Sequence, residues 1–220
     1  MFACDSMETS APSPAQPTNV ALPTAVRWIH QILTGRLKQG DIVVDATAGN
    51  GHDTLFLARH VLPEGQVFAF DIQQSAIDST AKRLQENGYV LSVENLIHSG
   101  HETLSEKLPA DLRGKIQAIT FNLGYLPGGD KNVITQTSST LSAIQQSLEW
   151  LAEDGLLTVV AYPGHEGGRD ESLVIEQWIA ALPPDAFEAQ KIGFLNFRPT
   201  TPFCMVVRKR TWQPTLKKPV

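Results

Sequence analysis

A chain of 220 residues with 42% hydrophobic content suits one domain with a sizeable core. Its formal charge of −5 gives no global basic footprint for nucleic acid, and no apolar run approaches a membrane span. Two cysteines, Cys4 and Cys204, make neither a disulfide framework nor a CxxC pair, which fits a reducing cytoplasm.

Residues 1–20, rich in Pro, Ser, Thr and Ala, read as a disordered leader without the basic start and apolar stretch of a signal peptide. ALPTAVRWIHQIL then places Val26, Ile29 and Leu33 on one helical face, with Gly35 as the stop. Strand-like runs follow at 42–46, 67–71, 93–97, 116–122 and 156–161. They alternate with helix-like segments at 53–61, 74–87, 102–108, 137–152 and 170–182, and LPPDA breaks the last of these. Trp28, Trp150 and Trp178 fall on helices and read as packing residues. Two more strands are expected at 187–195 and 203–209, with no helix between them. Alternation of this kind predicts an α/β fold with a doubly wound, Rossmann-like, mostly parallel sheet. The final pair should be a hairpin that brings in one antiparallel strand. The last thirteen residues, RKRTWQPTLKKPV, hold five of the 18 basic residues and none of the 23 acidic ones. The body before them therefore has 13 basic against 23 acidic residues, a formal −10. Residues 21–209 are expected to be the folded domain and 210–220 a basic tail.

In such sheets ligands sit beyond the C-terminal ends of the strands, near the point where strand order reverses. VVDATAGNGHDT at 43–54 leaves the first strand there, and FAFDIQ at 68–73 ends the second. Gly49 and Gly51 allow backbone N–H groups to approach a ligand, and Asp71, twenty positions after Gly51, can accept both hydroxyls of a ribose. An adenosine-containing ligand is expected. A dinucleotide fold would prefer a third glycine where Thr54 stands, and Asp45 would repel a pyrophosphate but suit the ammonium of a methionine moiety. The D-x-T-x-G-x-G pattern therefore favours S-adenosylmethionine over NAD. Thr47 stands where many methyltransferases carry a first glycine; its hydroxyl could reach the ligand or cap the turn.

DATAGNGHDTLFLA, FAFDIQ, SGHETL, FNLGYLPGGDK and YPGHEGG, in this order, resemble the YtqB-like class I methyltransferases, a family labelled as rRNA methylases. The resemblance covers about residues 24–209. It implies a sheet of order 3-2-1-4-5-7-6 with strand 7 antiparallel. It also implies N-methylation of 5-aminomethyl-2-thiouridine at the tRNA wobble position, so RNA, in its anticodon region, is the expected partner. Carried over by position, Asp45, Thr47, Gly49, Asn50 and Gly51 should surround the methionine end of S-adenosylmethionine. Asp53 and Thr54 should begin the next helix beside it. Asp71 should hold the ribose, Ile72 and Gln73 should flank the adenine, and Ser99 and His101 should lie near the adenine or a helix start. VITQT after Lys131 and FRPTTPF before the last strand depart from the family pattern, on the substrate side.

NLGYLPGGD at 122–130 is similar to the N/D-P-P-Y loops with which amino-methyltransferases hold an amine. The reaction needs a placed neutral lone pair. Asn122 and the Leu123 carbonyl could accept the amine's hydrogens, and Tyr125 could stack on the base. His165, in the glycine-rich YPGHEGGRDE loop, could accept the proton or only cap a helix. The catalytic set is thus Asn122, Tyr125 and His165, with Asn122 also beside the cofactor. Substrate contacts are expected at Leu123, Gly124, Tyr125, Asp130, Lys131, Tyr162 and Arg198. A basic rim of Arg198, Lys131 and residues 208–210 could meet an anticodon stem-loop. His98, His101, Glu102, His165 and Glu166 raise a metal reading, but neither H-E-x-x-H nor a cysteine ligand set is present, and no metal is expected. His30 and His52 read as solvent or capping residues. A small-molecule N- or O-methyltransferase, a nicotinamide oxidoreductase and a non-catalytic RNA-binding module remain as rivals, and a homodimer stays open.

Overall fold

The computed structural model describes residues 21–124, 136–165 and 167–211; the leader at 1–20 and most of the basic tail lie outside them. Helix α1 (Ala25–Thr34) is started by Thr24, whose hydroxyl accepts the Arg27 amide, and buries Ala25, Ile29 and Leu33 at a spacing of four. It is followed by β1 (Ile42–Asp45), α2 (His52–Val61), β2 (Gln66–Asp71), α3 (Gln74–Glu86), β3 (Leu96–His98), α4 (Leu104–Lys107), β4 (Ile116–Asn122), α5 (Thr137–Trp150), β5 (Leu151–Ala161), α6 (Gly168–Ala180), β6 (Phe187–Ile192) and β7 (Phe203–Lys209).

Among the described residues these strands form one sheet of order β3-β2-β1-β4-β5-β7-β6. β1 to β5 are parallel, and β7 runs antiparallel to both β5 and β6. The fold class expected from the alternation is the one found, down to the C-terminal hairpin. β1, β4 and β5 are central strands with apolar runs buried on both faces, as parallel sheets require. One face packs on α4, α5 and α6 through Phe121, Ile144, Leu157 and Ile175. The other packs on α1 and α2 through Ile29, Leu33, Leu57 and Val160, with Trp28 packed against it. No described helix is long and apolar enough to cross a membrane.

Several elements depart from the expected boundaries. The strand expected at 93–97 is a short 3-10 turn at Val93–Asn95 followed by β3 at 96–98. The Asn95 side chain donates to the Val67 carbonyl at 3.1 Å, so a side chain takes the place of a ladder bond at the start of this edge strand. β5 begins at Leu151 rather than 156, because Leu151 already pairs with Ile116 before a register shift; Asp154, in the left-handed region at φ 61°, lies between the two paired stretches. That early start also ends α5 at Trp150, whose indole donates to Ser105 Oγ at 2.9 Å. The strand expected at 187–195 ends at Ile192.

The direction of β7 settles where the basic run lies. Phe203 pairs with Ala161 at the end of β5, and Arg208 pairs with Leu156 in its middle, so β7 runs back toward the start of β5. Arg208 bridges Glu188 and Asp154. The Lys209 ammonium donates to the Leu148 and Leu151 carbonyls, and Arg210 donates to Pro184 O. These three cations therefore serve the sheet edge opposite the strand C-termini. The basic rim expected of residues 208–210 is not formed there, because an antiparallel strand carries its last residues away from that end.

Candidate functional site

β1 and β4 are neighbours although they are not consecutive, so strand order reverses between them. A cavity of about 900 Å³ opens beyond their C-terminal ends. Its walls come from the loop after β1 (Ala46 to Asn50), the first turn of α2 (His52, Asp53) and the end of β2 (Asp71, Ile72, Gln73). Further wall is supplied by the turn after β3 (Gly100, His101, Glu102), the end of β4 (Asn122, Leu123, Gly124) and the β5–α6 loop (Tyr162, His165). Of the expected site residues these elements bring together Thr47, Gly49, Asn50, Asp53, Asp71, Ile72, Gln73, His101, Asn122, Leu123, Gly124, Tyr162 and His165.

Asp71 ties two turns together. One carboxylate oxygen accepts the Gly49 amide and the other the Gln73 amide, each at 2.9 Å. Gly49 meets this bond at φ 53°, a conformation that suits glycine. The exposed Ile72 side chain offers an apolar surface next to it.

Gly51 has a different role from the one expected. It does not line the cavity, and its N–H donates to Ala48 O. Its φ is 75°, and a Cβ there would come within 2.8 Å of Thr80 Cα, so the missing side chain lets the start of α2 press on α3. Gly51→Ala is expected to cost about 2–4 kcal/mol through strain and overpacking combined. A lowered urea midpoint would show it; an unchanged midpoint would mean that α2 and α3 separate at no cost.

Asp45, Thr54 and Ser99 also lie behind the wall rather than on it. Asp45 is fully buried; its carboxyl accepts from Thr54 Oγ1 at 2.6 Å and from the Thr47 amide at 3.2 Å. The carboxylate expected to face a ligand ammonium is thus occupied by the protein, because β1 ends below the loop it feeds. The Thr47 hydroxyl accepts the Asn122 amide at 2.7 Å, stitching the β1 loop to the end of β4, and Thr47 lines the cavity with its O–H still able to donate. Ser99 Oγ accepts from Thr103.

Burial, reinforced by the neighbouring Asp53, pushes the Asp45 carboxyl up to about 7 from the ordinary 3.8. Between those values the folded state holds a proton that the unfolded chain has released. This group's contribution to stability therefore falls as pH rises through that window. Asp45→Asn is expected to remove the slope, gaining on the wild type by up to about 1.4 kcal/mol per pH unit across the window. Urea unfolding at about pH 4, 5.5 and 7 measures this, and parallel curves for the two proteins would refute it.

His101 is buried against Phe121 in an edge contact, and burial pushes its imidazole below the ordinary histidine value. It stays neutral near pH 7, and its Nε2 has no hydrogen-bond partner among the described residues. Asn122 Oδ1 is likewise buried and without a partner among them. Burial also raises the Tyr162 phenol, followed by the charge of Asp53. Tyr125, Asp130, Lys131 and Glu166 lie outside the described residues, and Arg198 is exposed and not part of the wall. Among the described residues no group of three or more His, Cys, Asp or Glu side chains could hold a metal ion.

Several wall residues were not anticipated from the sequence. Thr24, Val26, Arg27 and His30 reach it from α1, and Gln136 and Ser139 from the start of α5. His30, expected to be a solvent or capping residue, donates from Nε2 to Asp53 at 2.7 Å and stacks flat on Phe56. The four-residue spacing of Val26 and His30 puts them on one helical stripe, which was the available signal.

A family model with the description "Putative rRNA methylase" matches residues 67–208. The chain is 37% identical over 193 residues to the chloroplastic tRNA (mnm(5)s(2)U34)-methyltransferase of Arabidopsis thaliana, covering 84% of this chain and 69% of that one. A solved structure from Clostridium thermocellum bearing the same description as the family is 32% identical with a TM-score of 0.78, over 86% of this chain and 100% of that one. SMU.1697c of Streptococcus mutans, solved in complex with SAH, is 31% identical with a TM-score of 0.74, over 86% and 99%.

Proposed function

The chain belongs to this rRNA methylase family of S-adenosylmethionine-dependent methyltransferases, and from that premise we propose that it methylates RNA, at the amine of 5-aminomethyl-2-thiouridine in the tRNA wobble position. The observation that carries the reading is Asn122 Oδ1, a buried acceptor without a described partner at the strand end that borders the cavity. The plant relative, named for this reaction, supports the choice of substrate.

The residues fit the cofactor in chemistry. Asp71 keeps lone pairs for ribose hydroxyls while its amide contacts hold it still. Ile72 offers an apolar face to a base, and the neutral His101 ring has a buried nitrogen still to be satisfied. When bound, the cofactor supplies an electrophilic methyl group on a sulfonium. Asn122 Oδ1 and the Leu123 carbonyl accept the amine's hydrogens and turn its lone pair toward that methyl. The transfer leaves one proton too many on nitrogen. Tyr162, its phenol kept protonated by burial, is not the acceptor, and we assign that role to the His165 imidazole on the same wall.

The test is transfer of labelled methyl from S-adenosylmethionine to RNA from a strain lacking this gene, fractionated and digested to nucleosides. Label on 5-aminomethyl-2-thiouridine from tRNA is the expected result. Label in rRNA would overturn the substrate, and none in either, with cofactor bound, would indicate a small-molecule methyltransferase.

A further inference from the structure

We infer that Asp53 is a positioning residue that sets which end of the Asn122 side-chain amide meets the substrate. This rests on the reading of Asn122 as the group that receives the amine. The two ends of an amide are nearly equal in size and opposite in chemistry: oxygen accepts and nitrogen donates. A donor aimed at the amine would occupy the lone pair that has to attack, so a flipped Asn122 would block the reaction.

The backbone at this point is pinned. The Asn122 amide donates to Thr47 Oγ1 at 2.7 Å, and the Leu123 amide donates to Val160 O at 2.9 Å. The side-chain flip is the freedom that remains. Asp53 Oδ2 lies 2.5 Å from Asn122 Nδ2. A carboxylate only accepts, so the atom facing it must be the NH2, and Oδ1 is left for what enters the cavity. The other carboxylate oxygen, Oδ1 of Asp53, accepts from His30 Nε2 at 2.7 Å. The His30 ring is in turn stacked on Phe56 at 3.9 Å between centroids and 2° between planes. Asp53 thus has a protein partner on both oxygens, one holding it and one held by it, and the three residues come from α1, α2 and β4.

The test reverses the pair. Asp53→Asn loses the selection, and Asn122→Asp sets two carboxylates against each other. In the double variant the new amide at position 53 donates to the carboxylate at position 122, whose other oxygen remains an acceptor without a protein partner among the described residues. Each single variant is expected to lose roughly 30-fold in kcat, with the Kd for S-adenosylmethionine within about three-fold of wild type. The double variant should recover to within roughly five-fold of wild type. Losses that multiply in the double variant, or a cofactor affinity that falls as far as kcat in Asp53→Asn, would overturn the inference. A second readout needs no substrate. One Asn122 side-chain amide proton, assigned by its absence in Asn122→Asp, should resonate well downfield in the wild type and return to the ordinary range in Asp53→Asn. An ordinary shift in the wild type would end the idea. A shifted proton in a wild type that transfers no methyl to tRNA would remove the substrate reading and leave the orientation standing.

Discussion

Asp71→Ala is expected to weaken S-adenosylmethionine binding by roughly a hundred-fold, from about 3 kcal/mol for two charge-assisted hydrogen bonds. The loss has two parts. The proposed ribose contact goes, and so do the bonds from Asp71 to the Gly49 and Gln73 amides that hold the β1 loop against the end of β2. Asp71→Asn separates them, because a single amide oxygen can replace one of those bonds but not a carboxylate that serves both turns and a ribose. Its affinity should lie between those of the wild type and Asp71→Ala. Calorimetry measures the affinities, and a thermal scan excludes simple unfolding. An unchanged affinity in Asp71→Ala would remove the ribose assignment altogether.

The second large effect is expected in turnover rather than in binding. Asn122→Ala removes the acceptor proposed to orient the amine, and loss of placement at a reacting centre costs on the order of a hundred-fold in rate. Cofactor Kd should move by no more than about three-fold, because Asn122 reaches the cavity from β4, across the strand-order reversal from Asp71. Single-turnover rates and calorimetry on the same preparation separate the two quantities. Equal losses in both would make Asn122 a scaffold residue. The truncation also strips Asp53 of its Asn122 contact, so a modest drop in stability is expected alongside.

Much of the fold was legible because its signals are local. Runs such as IVVD and QAITF alternate with segments of helical period, and that alternation alone implies crossover units and a parallel sheet. The missing helix between β6 and β7 implied the hairpin. Asp71 and Asn122 were legible as residues of the cavity wall for a related reason. Each is the last residue of its strand, and in a parallel sheet strand ends share one edge. The edge strand β3 was less legible, because the Asn95 bond to Val67 competes with the ladder and apolar pattern carries no trace of it. The role of Gly51 was misjudged in the same way: a glycine required by a neighbouring helix looks identical in sequence to one required by a ligand.

The sequence by itself determined the order of elements, the face each one buries and the strand ends where chemistry could gather, because period and turn residues act within a few positions of themselves. Only the tertiary structure decided which groups meet. It turned Asp45 inward onto Thr54 and left Asp53 on the cavity wall, although the two stand eight positions apart in one motif. It brought His30 from α1 to Asp53 and Asp53 to Asn122, across 23 and 69 positions. It also carried Arg208 to Arg210 to the opposite edge of the sheet. Such meetings depend on the direction of a strand and the packing of one helix on another, which are set by the whole core and by no short stretch of the chain.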